Sequence, residues 1–108
     1  MSTLVIIGGG PAGLSAAIYA VRAGLDVQVL YKDDGALGKT DKIENYFGFP
    51  DVISGAELLS RGRAQAERLG AQLRRTEVTG IEYADTGFAV KTTDGERHAD
   101  AVLLATGS

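Results

Sequence analysis

The chain has 108 residues, 44% of them hydrophobic, a net charge of −3 and no cysteine. That length supports one domain burying roughly two-thirds of its unfolded surface, and the charge balance argues against nucleic acid or an anionic membrane surface as partner. Disulfides, thiolate metal sites and dithiol redox chemistry within these residues are excluded, no apolar run can span a bilayer, and Met1-Ser2-Thr3 lacks the basic start of a signal peptide, so the expectation is a cytoplasmic protein with no metal.

Leu4 to Ile7 is short and uniformly apolar, the pattern of a central parallel strand covered on both faces. It feeds directly into Gly8-Gly9-Gly10-Pro11-Ala12-Gly13, with glycines at the spacing G-x-G-x-x-G, and a helical pattern follows at once. That order is what a strand, a tight turn and a phosphate-facing helix N-terminus require. Gly8 turns the chain off the strand, Gly10 leaves room for a pyrophosphate to approach, and Gly13 lets the helix pack closely on the sheet. Pro11 suits the first helical position, and the helix end carries roughly half a positive charge to attract phosphate.

Leu14, Ala17, Ile18 and Val21 continue at helical spacing and Gly24 ends the helix. Val27 and Val29, with Leu25, begin a second strand, completing a β-α-β unit. A dinucleotide fold offers a carboxylate to the ribose near the end of that strand. Here the position eighteen residues beyond Gly13 is Tyr31, followed by Lys32, Asp33 and Asp34. Asp33 or Asp34 can reach a ribose and Lys32 an extra phosphate; a solvated turn explains the same residues, and the spacing leaves both readings open.

Residues 35–50 form a long loop with little periodicity, and loops of that length are usually functional or disordered. Tyr46, Phe47 and Phe49 argue against disorder; they either pack beneath the loop or meet a planar ligand. Ser54 and Glu57 form a capping-box pattern for a helix that repeats Leu59, Gly62, Ala66 and Leu69 and closes at Gly70. Arg61, Arg63, Glu67 and Arg68 fall on its expected solvated side. Ala71 to Leu73 suits a third parallel strand. Val78–Tyr83, Phe88–Thr92 and Glu96–His98, separated by turns at 84–87 and 93–95, form an antiparallel meander. His98, the single histidine, has no nucleophile or ligand set near it in sequence and is expected at the surface. Asp100 to Ala105 forms the last strand, before Thr106-Gly107-Ser108.

Taken together, the strand-GGGPAG-helix, the Glu44-Asn45-Tyr46-x-Gly48 loop before a capped helix, and the closing Ala101 to Gly107 resemble the FAD-binding region of the thioredoxin-reductase-like pyridine nucleotide–disulfide oxidoreductases. The resemblance covers the whole chain but only the first part of such an enzyme. It implies an α/β fold, a Rossmann-like parallel sheet flanked by helices with a three-stranded antiparallel meander. It also implies FAD as cofactor, with NADPH or NADH as electron donor. Gly8, Gly9, Gly10, Pro11, Ala12 and Gly13 would hold the pyrophosphate, and Tyr31, Lys32, Asp33 and Gly38 lie in the adenosine and flavin-proximal stretch. Asn45 would stand beside the isoalloxazine, Val78 near the adenine, and Ala105, Thr106 and Gly107 along the cofactor.

The family's NADPH domain, its Cys-x-x-Cys and its C-terminal Gly-Asp segment do not occur in these residues. The expectation is therefore one FAD-binding domain over residues 1–108, a truncated form or a reduced relative, with incomplete activity alone. The alternative is a non-catalytic module holding FAD, NAD(P) or ADP beside a partner chain. Self-association to cover an open flavin is compatible with either.

Overall fold

A computed structural model describes residues 2–32 and 54–105. Within them the elements run β1 (Thr3–Ile7), α1 (Pro11–Arg22), β2 (Asp26–Tyr31), α2 (Gly55–Leu69), β3 (Gln72–Arg75), β4 (Val78–Tyr83), β5 (Phe88–Thr92), β6 (Gly95–Ala99) and β7 (Ala101–Leu104). A parallel sheet has the order β3-β2-β1-β7, and β4-β5-β6 form a separate antiparallel sheet. The fold is the expected α/β architecture with an attached meander.

The apolar run of β1 is explained by burial on both faces. Ile6 joins Val27 and Val29 of β2 on the side where Leu14, Ala17 and Ala20 of α1 and Leu59 and Ala66 of α2 pack. Val5 and Ile7 point the other way and meet Leu30 of β2, Val90 of β5 and Ala99 of β6. Val5 and Ile6 are both fully buried, each contributing about 1.5–3 kcal/mol of transfer free energy. Small residues let the helices approach: a Cβ on Gly62 would lie 3.1 Å from Leu14 Cδ1.

Pairing places the ends of the described chain side by side. Thr3 to Ile7 register with Asp26 to Leu30, and Leu4 to Ile7 with Ala101 to Leu104. At that seam the Thr3 backbone N–H donates to Asp100 Oδ2 at 2.7 Å and its carbonyl accepts from the Asp100 N–H at 2.9 Å. The outer edge of β7 has no strand partner among the described residues, and Leu103 and Leu104 are 40% and 65% exposed there.

α2 begins at Ser54, whose Oγ accepts from the Glu57 N–H at 3.1 Å, and ends at Gly70 in the left-handed region. Only half of the expected capping box forms, because the Glu57 carboxylate accepts from Arg61 at 2.8 Å, one helical turn ahead. Arg61, Glu67 and Arg68 are exposed as expected, whereas Arg63 is half-buried. Its position, four residues after Leu59 and three before Ala66, puts it on the stripe facing the sheet. Leu69, expected to pack, is 37% exposed. The third parallel strand runs one to two residues beyond the sequence expectation, to Arg75. His98 is exposed on β6, with Nε2 2.7 Å from the Thr86 carbonyl oxygen.

Two substitutions test this core. Leu59 is 1% exposed, so Leu59→Ala is expected to lower the free energy of unfolding by about 2–5 kcal/mol. Ser54→Ala removes the cap and is expected to cost about 0.5–2 kcal/mol. Urea denaturation followed by circular dichroism measures both; equal effects would contradict the assignment of Leu59 to the core.

Candidate dinucleotide site

At the C-terminal ends of β1, β2 and β7 the chain makes a turn whose glycines meet three distinct requirements. Gly8 has φ 123°, a conformation open to glycine at little cost. Its N–H donates to the Leu30 carbonyl at 2.8 Å, fastening the turn to β2. A Cβ on Gly13 would collide with the Gly8 carbonyl oxygen and come within 3.5 Å of Ala105 Cβ, so glycine here sets how closely α1 approaches the sheet. Around Gly10, by contrast, a Cβ would meet nothing within 4 Å among the described residues. One flank of the turn is therefore open to a ligand that approaches the backbone.

The start of α1 has the electrostatics to use that opening. Gly10 is its N-cap in an extended conformation, makes no side-chain capping hydrogen bond, and is followed by Pro11. The first turn carries no acidic side chain. Orphan N–H groups and the positive end of the helix dipole thus face this side with no carboxylate from the helix's own first turn to compete. Between the two helices, a cleft of about 150 Å³ runs from Pro11 past Leu14 to Leu58 and Gly62.

Several residues singled out in the sequence converge here. Gly8 to Gly13 form the turn, Tyr31 ends β2 beside it, and the Ala105 N–H donates to the Ile7 carbonyl at 2.8 Å, bringing the end of β7 alongside. Lys32 is exposed, with Nζ 3.4 Å from Glu77 Oε1. Val78 starts β4, and its side chain packs against the buried cluster of Val5, Ile7, Leu30, Val90 and Ala99. Asp33, Asp34, Gly38, Asn45, the aromatics Tyr46, Phe47 and Phe49, Thr106 and Gly107 lie outside the described residues.

Tyr31 stands where the wider dinucleotide pattern has a carboxylate, and the structure shows what surrounds it. A Cβ on Gly9 would come within 2.6 Å of Tyr31 Cβ, so the middle glycine makes room for the base of the ring. Arg63 Cζ lies 4.5 Å from the ring centroid, a cation–π contact that joins α2 to the end of β2. The Tyr31 carbonyl accepts from the Thr76 N–H at 2.9 Å, and the Lys32 carbonyl from Arg75 Nε at 3.1 Å. Arg63 and Arg75 were not singled out as site residues. For Arg63 the signal was available in its place on the buried stripe of α2. Elsewhere, on the meander, a hydrogen bond from Lys91 to Glu82 and the attraction of that carboxylate raise the Lys91 pKa above its ordinary value.

The sequence profile of the pyridine nucleotide-disulphide oxidoreductases matches residues 2–108. The chain is 45% identical to a thioredoxin reductase of Aquifex aeolicus over 97% of its own length and 33% of that protein's. It is 40% identical to an NADPH-dependent thioredoxin reductase of Arabidopsis thaliana, covering 22% of it. Among solved structures, the atypical thioredoxin reductase of Desulfovibrio vulgaris Hildenborough superposes with a TM-score of 0.90 at 48% identity, over 99% of this chain and 36% of that one. A thioredoxin reductase from Gloeobacter violaceus superposes at 0.93 with 40% identity, over 99% and 34%. The chain thus spans about a third or less of the length of these relatives. With the profile matched from end to end and the glycine turn built as described, the chain belongs to the pyridine nucleotide-disulphide oxidoreductase family, and is thioredoxin-reductase-like within it.

Proposed function

We propose that this chain is the FAD-holding part of a thioredoxin-reductase-like flavin oxidoreductase, passing electrons between a nicotinamide dinucleotide and an acceptor. The observation that carries the proposal is the open flank at Gly10 beside an uncapped helix N-terminus. There Gly8, Gly9, Gly10, Pro11, Ala12 and Gly13 surround the pyrophosphate, which the helix dipole and the backbone N–H groups of the turn hold without a basic side chain; Pro11 has no N–H to give, and that of Gly8 goes to Leu30.

Tyr31, Lys32 and Asp33 border the adenosine, Val78 lies toward the adenine, and Gly38, Asn45, Ala105, Thr106 and Gly107 line the rest of the cofactor. These roles rest on the family resemblance, supported for Tyr31 and Ala105 by their position beside the turn. When bound, FAD supplies the electron-transfer chemistry, and the protein contributes position and electrostatics. Hydride transfer to a flavin needs no nucleophile from these residues, and none is assigned. NADPH is the donor suggested by the relative described as NADPH-dependent.

Two experiments test this reading. Purified protein is expected to be yellow, or to become so with FAD, and to release FAD on denaturation. Gly10→Val fills the open flank and is expected to reduce FAD retention to background with little loss of stability, since a Cβ there meets nothing within 4 Å. Undiminished retention in that variant would place the phosphates elsewhere.

The second experiment adds NADPH anaerobically to FAD-loaded residues 1–108. The sequence carries one G-x-G-x-x-G turn, so with FAD in place no second turn of that kind receives NADPH, and slow or absent bleaching is expected. Rapid bleaching would mean that these residues alone contain a nicotinamide site.

A further inference from the structure

At the β3 edge of the parallel sheet, the sheet, the meander and the C-terminal end of α2 leave a cavity of about 340 Å³. Gln28 of β2, Gln72 and Arg74 of β3 and Arg97 of β6 line it, together with Leu30 and Glu67; no residue of the glycine turn does. The register explains the grouping. Gln28 pairs with Gln72 and Leu30 with Arg74, so all four project from one face of the sheet toward the meander. Arg97 pairs with the fully buried Val90 and so points from the meander toward them.

The charges in this cavity are unbalanced. Arg97 is half-buried and its Nη1 donates to Gln28 Oε1 at 3.1 Å, a neutral acceptor. Its Nε is enclosed and meets no acceptor among the described residues. Neither Arg97 nor Arg74 forms an ion pair with a carboxylate of the described residues. A guanidinium cannot shed its proton, so a half-buried one is costly to leave without a counter-charge. This half-buried guanidinium and the exposed one of Arg74, beside two side-chain amides in a chain of net charge −3, make a local positive site.

We propose that this cavity binds a small oxyanion, a phosphate or a carboxylate, held by the guanidinium groups of Arg74 and Arg97. The planar donor fork of arginine matches two oxygens of either group. Glu67, which reaches the cavity from the end of α2, opposes a polyanion and accepts a hydrogen bond from a hydroxyl on the ligand. That selects a hydrogen-phosphate, a phosphate monoester or a small hydroxy acid. The site is separate from the glycine turn and does not depend on FAD being its occupant.

The test titrates inorganic phosphate, and separately lactate, into the full chain, first alone and then with ADP in excess to occupy the glycine turn. The Arg97 Nε–H and Gln28 side-chain amide signals are followed by NMR. The expected result is a saturable shift of both signals at millimolar ligand; which anion binds more tightly distinguishes phosphate from carboxylate recognition. Arg97→Met is expected to abolish ligand-induced shifts at Gln28. Arg74→Met, at an exposed position that leaves the core intact, is expected to weaken binding about tenfold. Arg97→Lys, which keeps the charge and loses the fork, should fall between wild type and Arg97→Met. No saturable shift with either anion, affinity unchanged in Arg74→Met, or shifts that disappear when ADP is added would each overturn the proposal.

Discussion

Everything in this molecule is hung on one strand that must be buried on both faces. β1 has apolar side chains at successive positions, so no orientation lets it expose one side cheaply. The helices cover Ile6, the meander covers Val5 and Ile7, and β2 and β7 take its two hydrogen-bonding edges. This sandwich fixes where β1 stops. The glycine turn follows at that point because the chain must reverse to lay α1 back over the strand it has just left. The shape of the turn is therefore a by-product of the route the backbone takes, with geometry supplied by Gly8 and Gly13.

Around that turn the protein departs from the usual dinucleotide arrangement in an informative way. Where a carboxylate would contact the ribose, a tyrosine ring sits against Gly9 and under Arg63. The substitution converts a local polar contact into a packed one that ties the turn to α2. Three segments far apart in sequence then share one position: the turn, the end of β2 and the middle of the second helix. Gly9 thereby acquires a steric reason to be glycine that the phosphate-binding argument does not provide.

Most of the architecture was legible from local pattern. β1, α1, β2, the meander and its turns announce themselves through apolar runs, helical spacing and glycine, and the G-x-G-x-x-G spacing pointed to the residues that form the turn. What escaped the sequence was decided by tertiary neighbours. Arg63 looks like any surface arginine until β2 is placed beneath its helix, when it becomes the partner of Tyr31. Glu57 promised to complete its capping box, but an arginine one turn away offered a charged partner. Gln28, Arg74 and Arg97 carried no signal, because polar residues within a strand usually mean a face turned to solvent. Their meeting depends on a register between a sheet and a meander that no local pattern encodes.

The seam between β1 and β7 also shapes how the chain acquires its fold. The Thr3 and Asp100 backbones that join there are separated by 97 residues, whereas β1, α1 and β2 are near neighbours. During synthesis the β-α-β unit can assemble while one edge of its most apolar strand waits unpaired. That edge closes only once β7 has been made. Long-range pairing of this kind is slow compared with local helix formation and leaves partly folded chains prone to aggregation. Ala105, whose N–H fastens the end of β7 to Ile7, follows the glycine turn by some ninety residues, so a nascent chain has that turn before it has the strand that holds it still.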